Sequence, residues 1–150
     1  MTSEQTYKER KPIVEGLFTW PSDDPRLIAS RCKSCNSHFF PRSDVCQNPS
    51  CMNLVDMEEV TLSTRGKIWT YTYAYFPPPP PFKSRQPFTP YGVGVIELAE
   101  GIKVLSMLTD CAQEDLKVGL DVELVVESQY EDEAGNEYLT WKFRPVGVRR

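Results

Sequence analysis

The chain has 150 residues, a formal net charge of −4, 40% hydrophobic residues and 25% charged residues. No segment approaches the roughly 18 consecutive apolar residues of a membrane-spanning helix, which argues against a membrane protein. The acidic balance argues against a nucleic-acid partner, because that binding needs clustered lysines and arginines. The polar N-terminal residues indicate no signal peptide, so we expect a cytoplasmic protein whose cysteines stay reduced and available to a metal.

The first 30 residues mix aromatic and aliphatic side chains with prolines and acids. Asp23-Asp24-Pro25 is typical of a helix start, with a capping carboxylate and a proline in the first turn. We therefore predict one or two short helices, which form a helical lead-in over residues 1–30.

Four of the five cysteines lie close together, as Cys32-x2-Cys35 and Cys46-x4-Cys51 with ten residues between the pairs. Each pair places two thiolates on one tight turn, and two such turns can surround Zn²⁺ with four sulfurs. Iron in a rubredoxin-like site is the chemical alternative, since it uses the same geometry. Four protein ligands leave no open coordination position, so the spacing predicts a structural zinc ribbon over residues 31–60.

From Gly66 onward the sequence is typical of β-structure. Alternating apolar and polar residues place one face of several segments in a core and leave the opposite face in water. Residues 112–119 have room for one helical turn. Five strands with a helical insert after the third match the OB-fold, a partly open barrel, which we predict over residues 61–150. The five segments rich in β-branched and aromatic residues are 67–76, 91–98, 102–109, 120–128 and 138–144.

Five consecutive prolines open the connection between the first two predicted strands. Because proline donates no backbone hydrogen bond, residues 77–90 predict a stiff, extended loop. Phe82 and Phe88 offer apolar anchors, while Lys83 and Arg85 suit acidic residues of a partner or the phosphates of coenzyme A. These four residues are candidate contacts with a partner or an acyl-CoA, and a plain solvated loop is the alternative.

The sequence offers no group of catalytic residues. Its one histidine, His38, lies inside the predicted ribbon, so Cys111 has no evident base and is interpreted as a packing residue. The acids at 131–133 precede Gly135-Asn136 and are typical of a solvated hairpin turn.

Aromatic residues alternate along the first predicted strand and would share one face. The strand has few lysines or arginines among them, so core or subunit-interface packing is favoured over stacking on nucleic-acid bases. The aromatic residues are Trp69, Tyr71, Tyr73 and Tyr75.

Several local motifs combine into a family resemblance that covers nearly the whole chain. They are the four-cysteine segment, Phe40-Pro41-Arg42, the entry into the barrel at residues 65–72, and the strand-turn segments at residues 90–101 and 116–122. With these motifs the chain resembles the zinc-ribbon and OB-fold proteins of acyl-CoA metabolism, the domain-of-unknown-function 35 family, which is often paired with thiolases. The x4 spacing in the second cysteine pair departs from the x2 spacing common in that family. The N-terminal segment and the proline loop are similar to those of small thiolase subunits from anaerobic aromatic degradation.

The resemblance implies a mainly β protein that acts as a non-catalytic, zinc-binding subunit of a thiolase-type acyltransferase complex. A catalytic thiolase subunit would supply the reactive cysteines and histidine within a hetero-oligomer, and an acyl-CoA would lie near this chain. One alternative is an acyl-CoA-binding partner of an enoyl-CoA hydratase-type enzyme. A second alternative is an OB-fold single-stranded nucleic-acid binder.

Overall fold

The computed structural model describes residues 9–51, 56–77 and 88–146. These residues form two sheets and one short 3-10 helix, Gln113–Asp115. No helix in the described part of the chain is long and apolar enough to cross a membrane. The strands are β1 (Arg10–Pro12), β2 (Ile28–Cys32), β3 (His38–Phe39), β4 (Met57–Thr61), β5 (Arg65–Ala74), β6 (Tyr91–Leu98), β7 (Lys103–Leu108), β8 (Asp121–Glu131) and β9 (Glu137–Pro145).

The smaller sheet is antiparallel, in the order β3-β2-β4. Its central strand, β2, ends on the buried Cys32, which places the first cysteine pair at one end of the sheet. Arg31 extends from β2 and forms an ion pair with Glu58 on the neighbouring strand. The sheet therefore fixes the position from which the cysteine-bearing loops depart.

The five predicted barrel strands are confirmed as β5 to β9. β5 pairs with both β6 and β8, β6 pairs with β7, and β9 closes the ring between β7 and β8. Inward-facing residues from these strands form a core that includes the fully buried Ile68, Ile96, Leu139 and Phe143. The 3-10 helix lies in the predicted insert after the third barrel strand.

The predicted N-terminal helices are wrong. In the described part of this segment the chain forms β1, turns and an isolated antiparallel bridge between Phe18 and Leu27. The main-chain N–H of Asp24 bonds to Ser22 Oγ at 3.1 Å, so the acidic residues belong to a tight turn. A short segment interrupted by prolines cannot offset the cost of helix nucleation, whereas the bridge buries both Phe18 and Leu27.

The barrel wall is only partly closed between β7 and β9. These two parallel strands share one register pair, Leu108 with Phe143. Farther along β9, the N-terminal strand β1 takes the neighbouring position and pairs in parallel with residues 137–139. An opening thus remains between β7 and β9, and residues 13–18 lie beside it.

Candidate metal centre

The four thiols of Cys32, Cys35, Cys46 and Cys51 meet in one cluster. All four Sγ atoms lie within 4.8 Å of one another. The Sγ atoms of Cys32 and Cys51 are 3.8 Å apart, and those of Cys35 and Cys46 are 3.6 Å apart. Four sulfurs at about 2.3 Å from a tetrahedral ion are separated by about 3.8 Å, so the spacing fits a bound Zn²⁺.

The first cysteine pair sits on a turn closed by the backbone. The N–H of Asn36 bonds to the Cys32 carbonyl at 2.8 Å, and Asn36 adopts a left-handed φ of 63°. Asparagine tolerates this conformation better than most residues, so the turn suits the sequence. The Cys32 N–H bonds in addition to the Ser37 carbonyl at 2.9 Å, which fixes the direction of the turn.

The second cysteine pair has the wider x4 spacing, and Asn48 organises the extra residues. Its side-chain oxygen accepts a bond from the Ser50 N–H at 3.0 Å, and its carbonyl accepts one from the Cys51 N–H at 3.0 Å. These bonds turn the chain back so that Cys51 reaches the cluster. The departure from the family's usual spacing therefore leaves the four-sulfur geometry intact.

Cys35 and Cys46 differ in how readily their thiols ionise. Hydrogen bonds from the side chain and backbone of Ser37 lower the pKa of Cys35 to about 6, and the Cys35 Sγ lies 3.2 Å from Ser37 Oγ. Burial raises the pKa of Cys46 to about 12. A dication that draws the four sulfurs together would displace the Cys46 proton, because thiolates are the ligating form. The contribution of Ser37 was missed in the sequence, although its place two residues after Cys35 is a usable signal.

Four thiolates complete the preferred coordination of Zn²⁺. The side chains present therefore fit a structural zinc ion, and such a site offers no position for water or substrate. His38 lies on β3 and is not part of the cluster among the described residues.

Of the four loop residues predicted as partner or acyl-CoA contacts, Phe88 alone lies in the described part of the chain. Phe82, Lys83 and Arg85 lie outside the described residues, while Phe88 is half-buried and packs edge-on against Tyr91 at 6.1 Å. Cys111 is half-buried beside the barrel core and lines a cleft of about 180 Å³ together with Phe88.

The predicted acidic turn is a hydrogen-bonded hairpin. Asp132 accepts bonds from the side chain and backbone of Asn136, at 3.0 and 2.9 Å, and these bonds hold the pKa of Asp132 below its usual value. A carboxylate engaged in this way stabilises the turn.

The aromatic residues of β5 do not share one face. A β-bulge between Ile68 and Thr70 shifts the register at Trp69, which is 54% exposed and lies under the Lys103 ammonium at 5.1 Å. Tyr75 and Phe76 follow the strand and are 53% and 82% exposed. The described end of the proline-rich connection is thus an exposed aromatic surface.

A buried ion pair in the barrel wall was missed. Alternation along β9 predicts a solvated Lys142, yet this residue is only 7% exposed. Its Nζ lies 2.8 Å from Glu127 Oε1, which also accepts a bond from Thr109 Oγ1 at 2.9 Å. Pairing with Glu127 offsets the cost of removing the ammonium from water. Lys142 has Val125 as its register partner on β8, and Glu127 has Thr140, so no local pattern in the sequence signalled this ion pair.

Comparisons with known proteins agree with this architecture. Residues 20–53 match the ChsH2 rubredoxin-like zinc ribbon domain, and residues 59–127 match the ChsH2 C-terminal OB-fold domain. A "DUF35 domain-containing scaffold protein" of Methanocaldococcus jannaschii is 35% identical over 121 residues, which cover 80% of this chain and 82% of that protein. The chain belongs to the DUF35 family.

Other DUF35 relatives carry more specific descriptions. The "Benzoylsuccinyl-CoA thiolase subunit BbsA" of Thauera aromatica is 29% identical over 144 residues, 92% of this chain and 93% of that protein. A solved structure described as "Ltp2-ChsH2(DUF35) aldolase" contains a similar chain, with a TM-score of 0.59 and 28% identity over 80% of this chain and 84% of that one. The DUF35 fold thus occurs in proteins described as scaffolds, thiolase subunits and aldolase components.

Proposed function

We propose that this DUF35 chain is a non-catalytic, zinc-binding subunit of a thiolase-type acyl-CoA acyltransferase complex. The observation that carries the proposal is the similarity to BbsA, which extends over 92% of this chain and 93% of that thiolase subunit. A partner subunit supplies the catalytic residues, and this chain supports the assembly, stability or acyl-CoA site of that partner. Benzoylsuccinyl-CoA thiolase of anaerobic toluene degradation is the specific complex we propose.

Zinc has a structural role in this proposal. Cys32, Cys35, Cys46 and Cys51 hold the ion, and their spacing of 3.6 and 3.8 Å across the two pairs supports this assignment. A closed four-thiolate site neither activates water nor polarises a carbonyl group. The ion instead holds the two cysteine-bearing loops together and so fixes the surface they present.

The surface around the proline-rich connection is the proposed contact with the partner or its acyl-CoA. Support comes from the exposed Tyr75 and Phe76 before the connection and from the half-buried Phe88 after it. Exposed aromatic residues are enriched at the centres of protein interfaces. Phe82, Lys83 and Arg85 of the same connection complete this proposal with apolar and cationic side chains.

Copurification tests the proposal directly. The tagged chain is isolated from its native host, bound proteins are identified by mass spectrometry, and thiolytic cleavage of benzoylsuccinyl-CoA is measured for the complex and for the lone chain. We expect a thiolase-type subunit in the complex and turnover only when that subunit is present. Phe88→Ala and the double variant Lys83→Glu/Arg85→Glu should weaken the complex or raise the KM. Thioester cleavage by the lone chain, abolished by Cys111→Ala, would contradict the proposal.

A hydratase or aldolase partner is the second candidate. A "Probable enoyl-CoA hydratase alpha subunit" of Thermomonospora curvata is 30% identical over 99 residues, which cover 66% of this chain and 28% of that protein. This similarity spans a smaller share of both proteins than the similarity to BbsA does. Recovery of a hydratase or an aldolase in place of a thiolase would favour this second candidate.

A further inference from the structure

The two cysteine-bearing turns are joined by side chains as well as by the thiol cluster. Ser37 lies two residues after Cys35 on the first turn, and its Oγ is 3.2 Å from the Cys35 Sγ. Asn48 lies on the second turn, between Cys46 and Cys51, and its Nδ2 donates to the Ser37 Oγ at 3.4 Å. These three groups form a short chain of contacts from one turn to the other, which we call the Asn48–Ser37 link.

The orientation of the Asn48 amide is fixed by the backbone of its own turn. Its Oδ1 accepts a bond from the Ser50 N–H at 3.0 Å. The oxygen of an amide accepts hydrogen bonds and the nitrogen only donates them, so the nitrogen is the end that faces Ser37. Because that nitrogen cannot accept a hydrogen bond, the hydroxyl hydrogen of Ser37 has to point elsewhere.

The Cys35 sulfur is the acceptor within reach of this hydroxyl. A cysteine that binds zinc is a thiolate, which has no hydrogen to donate. The Ser37 hydroxyl is then the donor, and the hydrogen bonds run in one direction, from the Asn48 amide through the serine oxygen to the sulfur. A hydrogen bond to an ionised group is stronger than one between neutral groups, and in a chain of such bonds each one polarises the next.

The backbone holds Ser37 in place independently of this link. The Ser37 carbonyl accepts a bond from the Cys32 N–H at 2.9 Å, so the residue is anchored to the start of the same turn. Ser37, Asn48 and Cys35 are all half-buried, which limits the competition of water for their hydrogen bonds. The serine oxygen is therefore presented to the sulfur by a fixed part of the chain.

From these contacts we infer that Ser37 and Asn48 are positioning residues of the metal centre. Ser37 stabilises Cys35 as a zinc ligand, and Asn48 acts through Ser37, so that it ties the second cysteine turn to a ligand of the first. Hydrogen-bond partners of this kind orient metal ligands and strengthen metal binding. The inference rests on the zinc assignment of the proposed function, and it adds two residues that lie outside the four-cysteine motif.

A double-mutant cycle on the full-length chain tests whether the two residues act as one unit. Zinc affinity is measured by competition with a chelator for the parent, Ser37→Ala, Asn48→Ala and the double variant. Loss of a hydrogen-bond partner of a metal ligand costs about 10–100-fold in affinity, and we expect Ser37→Ala to fall in this range. Asn48→Ala should weaken binding much less when Ser37 is already alanine, because its contact with the serine is then absent.

The neighbouring residue provides the matched control for the cycle. The Gln47 side-chain amide donates to the Ser43 Oγ at 3.4 Å, and Gln47→Ala should leave the zinc affinity unchanged. The cycle itself cancels the loss of the Asn48 bond to Ser50, since that loss is the same in both backgrounds.

Cobalt substitution separates a positioning role from a general loss of structure. Co²⁺ occupies four-thiolate sites, and its sulfur-to-metal charge-transfer absorption depends on the electron density at the sulfurs. Because a hydrogen bond withdraws electron density from a sulfur, Ser37→Ala should shift this absorption to longer wavelength while the bands of tetrahedral Co²⁺ remain. Ser37→Thr keeps a hydroxyl and should restore both the parent absorption and the parent affinity.

The outcomes separate this inference from the zinc assignment. A parent chain that binds neither zinc nor cobalt contradicts the assignment itself. A parent chain that binds zinc overturns the inference alone if the losses from Ser37→Ala and Asn48→Ala simply multiply, or if the charge-transfer absorption of Ser37→Ala is unchanged.

The variant Asn48→Asp decides the inference even if Ser37→Ala fails to fold. It keeps the oxygen that accepts from Ser50 and removes the nitrogen that donates to Ser37. Gln47→Glu is the control for the added negative charge. Zinc binding weaker than in this control supports the inference, and equal binding overturns it.

Discussion

The metal centre and the barrel are stabilised by different means. The barrel strands contribute most of the buried hydrophobic core, including Ile96, Leu139 and Phe143. In residues 38–51, by contrast, Cys46 is the one side chain that is buried. The ribbon loops are held by turns and by the proximity of four thiols.

This difference shows how one chain can combine two sources of folding free energy. The stabilising free energy of apolar burial is proportional to the area buried, so a hydrophobic core tolerates many small changes. A metal site, in contrast, depends on each of its four ligands. The ribbon should therefore respond to single substitutions in an all-or-none manner, while the barrel should respond in proportion to the volume removed.

The substitution Cys46→Ser tests the all-or-none response and should have the largest effect. Structural zinc contributes on the order of 10–16 kcal/mol in zinc-finger peptides, so loss of one ligand should unfold the ribbon. We expect loss of stoichiometric zinc by elemental analysis, together with retained barrel signals in NMR spectra. Cys111→Ser is the control that should keep its zinc. Stoichiometric metal in a Cys32→Ser/Cys46→Ser double variant would refute the ligand assignment.

The substitution Phe143→Ala tests the proportional response in the barrel. Phe143 is fully buried and packs against Trp141, with ring centroids 6.4 Å apart. Truncation should lower the free energy of unfolding by about 3–5 kcal/mol through lost burial and the cavity left behind. Denaturant unfolding measures the change, and zinc content should stay at the parent level. Loss of zinc along with stability would show that the two regions fold as one unit.

The substitution Glu100→Gln tests the link between the two regions and should have the smallest effect. Glu100 Oε2 accepts bonds from the N–H and the hydroxyl of Ser63, at 2.8 and 2.9 Å, and so ties the β6–β7 hairpin to the chain leaving β4. A neutral amide oxygen is a weaker acceptor, so we expect a loss of about 1–3 kcal/mol. The same denaturant assay measures it, with the exposed Glu114→Gln as the control. An unchanged stability would indicate that the regions are joined by packing alone.

The sequence predicted the elements whose signals are local. Alternating residues identified all five barrel strands, and cysteine spacing identified the cluster that the structure brings within 4.8 Å. The helix expected at Asp23-Asp24-Pro25 failed because a capping carboxylate before proline suits a tight turn equally well. What decided between helix and turn was the burial of Phe18 against distant strands, which no local pattern contains.

Features that depend on distant residues could not be predicted. The parallel pairing of β1 with β9 joins residues 127 positions apart, as in Arg10 with Glu137. The buried Lys142 is stabilised by Glu127 on another strand, and the open edge of β7 follows from where β9 diverges. Predicting each of these features requires the register between strands. The alternating sequence pattern predicts only which residues of a strand face the core.

The pairing of β1 with β9 sets an order of events during protein synthesis. β1 is among the first described segments to leave the ribosome, yet its partner is the last of the described strands to be made. Cys51 precedes Glu137, the first residue of β9, by 86 residues, so the four cysteines can bind zinc before β1 meets its partner strand. Pairing of β1 with β9 is therefore a late, non-local step, and such steps are slow. Until that step occurs, residues 13 and 14 are not held in place beside the opening between β7 and β9.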